Sequence, residues 1–185
     1  MLIGKKVRLQ PLVEEDDAKL VAAWFSDPAF MGDYFNVWPN VWQNWQREPE
    51  KVADHRSGTF LVRRVADDVP VGIIGYFNPF VESFFEGREL WWLTHPDARK
   101  QGVTTQAACL LVNHLFDALP VERLQASIAA GNRGSSRVAE KTGFSHEGVL
   151  RRVTFLHGRY VDMDLYAMTR PDWKSEEMYR QNREF

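Results

Sequence analysis

The sequence predicts a single α+β domain: a mixed sheet of about seven strands flanked by helices. Three observations carry this. The chain has 185 residues and 44% hydrophobic content, enough for one buried core and too short for two ordinary domains. Short apolar runs with strand character are interleaved with runs at helical spacing, and no repeat, linker or low-complexity stretch separates them. A strand–helix–strand step between Glu89 and Ile128 demands at least one parallel pairing, because the crossover helix returns the chain to the same edge.

The elements follow in order. "KKVRLQPL" (Lys5 to Leu12) alternates as a half-buried strand does. "EEDDAKLVAAWF" is acidic in its first turn, which favours the helix dipole, and "SDP" at Ser26 to Pro28 stops it. An aromatic segment follows, in which Trp38, Trp42 and Trp45 share one face if it is helical. Thr59 to Asn78 reads as a hairpin turning at Asp67-Asp68, and Glu89 to Thr94 as a third strand. Gln106 to Ala118 carries an apolar stripe through Ala107, Ala108, Leu111, Val112 and Leu115, so a buried helix is expected there, ended by Pro120. "ERLQASIAA" is a strand, and Ser135 to Thr142 a short helix closed by Gly143. Two final strands meet near His157-Gly158. Residues 1–170 make the expected domain and 171–185 a polar tail.

Composition excludes several classes. Lys+Arg total 23 against Asp+Glu 25, with no basic stripe, which argues against nucleic acid as a partner. No apolar stretch approaches the roughly 20 residues that span a bilayer, and "MLIGKKVRLQ" has no secretory core, so no membrane partner is expected and the cytoplasm is the expected compartment. The single cysteine, Cys109, cannot form an intrachain disulfide and sits in the apolar run "AACLLV". His55, His95, His114, His146 and His157 are scattered, and no metal site is implied.

One loop stands apart. In "RELWWLTHPDARKQGVTTQA" (Arg88 to Ala107) a strand, a basic turn and a helix start meet at Gly102. A helix N-terminus offers unpaired amides and partial positive charge, and glycine lets a ligand approach the backbone. With Arg99 and Lys100 upstream, the turn suits a phosphate or pyrophosphate. It lacks the paired glycines and Lys-Ser/Thr of a nucleoside-triphosphate loop and the three glycines of a dinucleotide loop. On this loop alone, solvated surface charges and an ordinary turn explain it equally well.

A second stretch, "IAAGNRGSSRVAEKTGFSHEGVLRR", changes that balance. Together the two resemble the GNAT superfamily of acyl-CoA-dependent N-acyltransferases, and more narrowly its branch of ribosomal-protein N-terminal and small-amine acetyltransferases. "RKQGVT" matches the family's pyrophosphate loop at Arg99 and Gly102 and departs from it at Thr104, where glycine or alanine is usual. The family's N-x-x-S-x-x-V-x-x-K-x-G-F element matches at Asn132, Ser135, Val138, Lys141, Gly143 and Phe144, and its closing strand at Gly158, Asp162 and Tyr166. Trp91 occupies a position often held by glycine. The resemblance spans about residues 6 to 170. It implies central strands that splay into a slot for the pantetheine arm of acetyl-CoA. The cofactor would lie against Leu93, Thr94, Arg99, Lys100, Gln101, Gly102, Val103, Thr104, Thr105, Asn132 and Ser135.

Moving an acyl group from a thioester to an amine by direct transfer, through a tetrahedral intermediate, needs a neutral amine, a stabilised oxyanion and an acid for the thiolate. An α-amine of pKa ~8 is roughly one-tenth neutral at pH 7, so a modest base suffices. Glu89 is the carboxylate candidate, or else an edge carboxylate paired with Arg88 or Arg99. A backbone amide near Leu93 would serve the oxyanion. Ser135 and Tyr166 are the hydroxyl candidates for the thiolate. Asn132 and Ser135 could equally cap the helix that follows, and Tyr166 could be an ordinary strand aromatic.

The acceptor is expected to be a peptide N-terminus or a small-molecule amine, held by Tyr34, Trp38, Trp42 and Glu89. The same aromatic segment equally suits core packing plus a homodimer contact. The alternative to an N-acetyltransferase is a coenzyme A sensor or interaction module of the same fold with little transfer activity.

Overall fold

The computed structural model describes residues 2–37, 56–79 and 87–174. Eight described strands form one sheet: β1 (Leu2–Ile3), β2 (Val7–Pro11), β3 (Ser57–Arg64), β4 (Pro70–Phe77), β5 (Arg88–Thr94), β6 (Arg123–Ala129), β7 (Ser145–Leu156) and β8 (Arg159–Thr169). Their order is β1-β2-β3-β4-β5-β6-β8-β7. The sequence expectation of about seven strands lacked β1, a two-residue strand that pairs with β2. Two residues are too few to show an alternation.

The helices are α1 (Glu15–Phe25), α2 (Pro28–Met31), α3 (Val103–Ala118), α4 (Arg133–Thr142) and α5 (Arg170–Lys174). Asp27 opens α2 by accepting the amide of Ala29, with Pro28 in the first turn, where its missing N–H costs nothing. Helix α3 begins at Val103, three residues before the start at Gln106 that the sequence predicts. Gly143 closes α4 at φ +96°, a left-handed conformation that favours glycine.

Period-two alternation divides the core between the two faces of the sheet. On β5, Leu90 and Trp92 enter a cluster with Leu111, Leu115, Leu124 and Tyr166, which lies under α3. Leu93 faces the other way, into a cluster with Val21, Trp24, Phe30 and Ile73 beneath α1 and α2. Glu89 and Trp91 share the parity of Leu93 and so lie on the α1/α2 face.

Every neighbouring pair of strands is antiparallel except β5–β6. That parallel contact joins only Arg88 to Leu124 and Glu89 to Gln125, after which two seven-residue strands part company. The sheet therefore opens into a slot between Leu90–Thr94 and the facing half of β6. Its depth is five residues of strand, ~16 Å.

The core continues past residue 170, where the sequence placed the domain's end. Trp173 is 4% exposed, its ring stacks on Phe116, and its indole N–H donates to Asn113 Oδ1 at 2.8 Å. Arg170 donates to the carbonyls of Phe116, Leu119 and Val121, satisfying the end of α3. Among the described residues no helix is long and apolar enough to cross a membrane.

Candidate active site

The slot's mouth is the turn before α3. Lys100 and Gly102 both take positive φ, +63° and +79°, which turns the chain sharply into the helix. Helix α3 has no side-chain N-cap, and its first intrahelical bond runs from the amide of Gln106 to the Gly102 carbonyl. The amides of Val103, Thr104 and Thr105 therefore have no intrahelical acceptor, and they face outward at the positive end of a sixteen-residue helix. A Cβ added at Gly102 would lie 3.3 Å from Lys6 Nζ, so the glycine keeps open a cradle with an ammonium on its rim. An anionic diphosphate fits these groups.

The structure redistributes the roles of the loop's side chains. Arg99, expected at the anion site, donates instead to the carbonyls of Thr94, Ala29 and Phe30, fastening α2 to the end of β5. Gln101 donates to the Asp97 carbonyl and braces the turn. The cation that the sequence reading missed is Lys6, whose Nζ reaches the Gln101 carbonyl at 3.5 Å. It is brought there by Gln106, buried at 3% exposure, whose Oε1 accepts the amides of Lys6 and Val7. A contact spanning a hundred residues left no local signal beyond the doublet Lys5-Lys6. Lys100 is exposed. Thr104, the departure from the family loop, pairs its hydroxyl with that of Thr94 at 2.5 Å. Whichever hydroxyl accepts keeps its own proton to offer a ligand.

Inside the slot the backbone is the main resource. The amide of His95 donates to Val71 on the β4 side, so alternation turns Leu93 and Trp91 toward β4 as well. Leu93's own amide is thus engaged with β4. The amides of Trp92 and Thr94 face the slot. On the opposite wall Ala130 donates to Asp162 of β8, and the same alternation turns Ser127 toward the slot.

On the α3 face, α4 begins beside the slot. Asn132 caps it, its Oδ1 accepting the amide of Ser135 at 3.2 Å. Ser135 Oγ accepts the indole N–H of Trp92 at 3.3 Å. An indole N–H only donates, so this contact takes a lone pair and leaves the serine hydroxyl proton available. Tyr166, the other hydroxyl candidate, lies one strand beyond β6 on the same face, paired with Ala126. It is 6% exposed, with its ring edge-on to His146.

On the α1/α2 face, Glu89 sits at the vertex where β5 and β6 part, and its Oε2 accepts the side-chain amide of Gln125 at 3.0 Å. No hydrogen bond holds its Oε1 among the described residues. Trp91 stands next to it on the same face, its indole seated over Gly75 of β4. A Cβ there would come within 2.7 Å of two ring atoms. Tyr34, 37% exposed, donates its hydroxyl to the Gly131 carbonyl at 2.9 Å and so bridges from the end of α2 to the far wall of the slot. Asn36 continues that strap, donating to the Phe155 carbonyl and accepting the amide of His157. Trp38 and Trp42 lie outside the described residues.

The residues thus come together in two groups. The anion cradle, Thr94, Thr104, Asn132 and Ser135 line the α3 side, and Glu89 and Tyr34 the other. Among the described residues no three His, Cys, Asp or Glu side chains are placed to hold a metal ion.

A sheet parted after one short parallel contact, with a helix N-terminal anion cradle at its mouth, defines an acyl-coenzyme A transferase architecture. Residues 6–145 match the acetyltransferase (GNAT) domain, and the chain belongs to that family. It is an acetyl-CoA-dependent acetyltransferase. It is 25% identical over 182 residues to a probable N-acetyltransferase, YjcK, of Bacillus subtilis, covering 93% of this chain and 98% of that protein. It is 28% identical over 101 residues to the ribosomal-protein-serine acetyltransferase of Escherichia coli, 55% of each. Among solved structures, the RimL ribosomal L7/L12 α-N-protein acetyltransferase in complex with coenzyme A superposes with a TM-score of 0.75 at 15% identity, over 90% of this chain and 96% of that one. The Vibrio cholerae spermidine N-acetyltransferase with coenzyme A and spermine gives 0.75 at 16%, over 92% and 99%.

Proposed function

We propose that the chain acetylates the α-amine of a peptide by direct transfer, with Glu89 taking the amine's proton and Ser135 protonating the departing sulfur. Acetyl-CoA supplies the acyl group already activated as a thioester. Glu89 carries the reading: it is a carboxylate whose Oε1 has no hydrogen-bond partner among the described residues, at the slot's vertex and on the face opposite α3. The vertex lies ~16 Å of strand from the anion cradle, so a long arm anchored by its phosphates reaches it.

An α-amine of pKa ~8 leaves Glu89 little work, since roughly one molecule in ten is already neutral at pH 7. The slot-facing amides of Trp92 and Thr94 offer fixed dipoles to the oxygen on which charge develops. Ser135, with one lone pair taken by the Trp92 indole, keeps its proton to offer the sulfur. The relatives that act on ribosomal proteins support a peptide acceptor. On β7, the exposed edge strand, Val149, Leu150, Val153 and Phe155 are 40% to 55% exposed, which supports the expected homodimer.

The test is thiol release from acetyl-CoA with tetrapeptides beginning in serine, alanine or methionine, the same peptides with blocked N-termini, and spermidine. Product mass should place the acetyl group on the free N-terminus. Turnover of spermidine alone would replace the peptide with a polyamine. Coenzyme A binding with no turnover of any acceptor would leave a sensor.

A further inference from the structure

We infer that Gln125 is a positioning residue for Glu89, itself held in register by Arg123 and Glu147. The inference rests on the proposed role of Glu89 and concerns what aims it.

Four hydrogen bonds form one chain. Arg123 makes a two-pronged contact with Glu147, Nη1 to Oε1 at 2.9 Å and Nη2 to Oε2 at 2.6 Å. Its remaining nitrogen, Nε, donates to Gln125 Oε1 at 3.2 Å. Gln125 Nε2 then donates to Glu89 Oε2 at 3.0 Å. The direction of every link is fixed by chemistry. A guanidinium has five N–H donors and no acceptor, so the side of Gln125 that meets Arg123 is its oxygen. The amide nitrogen must therefore face Glu89, and Glu89 must accept. A glutamine without Arg123 could flip and present an oxygen to the carboxylate instead.

The geometry suits positioning. Gln125 is 8% exposed and sits opposite Glu89 in the last parallel pair before the strands separate. Tying Oε2 there fixes the carboxylate rotamer and leaves Oε1 as the oxygen available to an incoming amine. A glutamate side chain set free at this point would sample several rotamers, and misplacement of a reacting group costs rate rather than cofactor binding. Glu147 anchors the outer end: hydrogen bonding to Arg123 holds its carboxyl below the usual carboxylate range, so this ion pair stays charged at neutral pH.

The experiment compares the whole protein with Glu89→Gln, Gln125→Met and the double variant, and reads kcat and KM for whichever of a serine-initiated tetrapeptide or spermidine is turned over, with coenzyme A affinity measured by calorimetry. Gln125→Met should lower kcat by about tenfold, with the coenzyme A Kd changed less than twofold. In the Glu89→Gln background the same substitution should change kcat less than twofold, because a residue acting through Glu89 has nothing left to act on. An equal loss in both backgrounds, or a wild-type kcat for Gln125→Met, overturns the inference while leaving Glu89 in place. A wild-type kcat for Glu89→Gln, or failure of the wild type to turn over either acceptor while binding coenzyme A, overturns the proposed function as well. Should Gln125→Met not fold, Glu147→Ala at the exposed end of the chain gives the same reading: a loss of about threefold that disappears with Glu89→Gln. No loss overturns the inference.

Discussion

Trp92 and Ser135 meet on the α3 face of the slot, indole N–H to hydroxyl oxygen at 3.3 Å, and this joins the parted strand β5 to the first turn of α4. The contact occupies a lone pair of the serine oxygen and leaves its proton to be donated elsewhere. Replacing Trp92 by phenylalanine keeps an aromatic ring in the core and removes the N–H together with part of the indole's volume. The loss of a part-buried hydrogen bond of about 1 kcal/mol is roughly a fivefold change in rate if Ser135 works as the acid. Trp92→Phe should lower kcat by about that factor with the coenzyme A Kd unchanged, and Ser135→Ala should lower it further. A melting temperature that falls while kcat holds would falsify the catalytic reading of the contact.

Gly102 sets a second expectation. Its φ of +79° is strained for any residue with a Cβ, and worst for a β-branched one. A valine there would also push its side chain toward Lys6 and into the cradle. Gly102→Val should weaken coenzyme A binding at least tenfold. Ligand at one hundred times its Kd stabilises a protein by ~2.7 kcal/mol, so the wild type should show a clear thermal upshift with coenzyme A and the variant a much smaller one. An unchanged upshift places the diphosphate elsewhere.

The sequence made the element order, the parallel step and the loop at Gly102 legible, because each is a local pattern: an alternation, a helical stripe, a turn residue. It left unreadable what depends on partners far along the chain. Arg99 looked like a phosphate ligand because it precedes the glycine, yet its guanidinium is held by Ala29 and Phe30, seventy and sixty-nine residues away. Lys6 reaches the cradle only because Gln106 draws in the β1–β2 turn. Trp92 and Gln125 carry no signal in the sequence beyond lying in strands, and only the strand register and the position of α4 bring them to Ser135 and Glu89.

Trp91 and Gly75 show a compensation between neighbouring strands. The indole covers the glycine on the α1/α2 face, and a Cβ at position 75 would lie 2.7 Å from both the ring and the Gly58 carbonyl. The ring can move and the carbonyl cannot. Gly75→Ala should therefore cost about 1–3 kcal/mol in urea unfolding, as overpacked sites do. In a Trp91→Ala background part of that cost should vanish and part remain. Full additivity of the two substitutions would show that the indole does not rest on Gly75.

Cys109 supplies the pH dependence. Burial on α3, at 1% exposure, pushes its thiol from 9.0 up to about 11, against a smaller opposing effect of its hydrogen bond with Thr142. The raised folded value means that the native state favours the protonated thiol. This contribution is complete below pH 9 and is lost as pH rises toward 11, when the unfolded chain ionises first. Two units correspond to about 2.7 kcal/mol. The unfolding free energy of the wild type should fall relative to that of Cys109→Ala by up to this amount between pH 9 and 11, and the two should run parallel from pH 6 to 8. At pH 8 only about one native thiol in a thousand is ionised, so iodoacetamide should label Cys109 in urea and leave the folded protein unmodified. Rapid labelling of the native protein at pH 8 would mean that the thiol is neither buried nor raised, and that α3 does not pack as described.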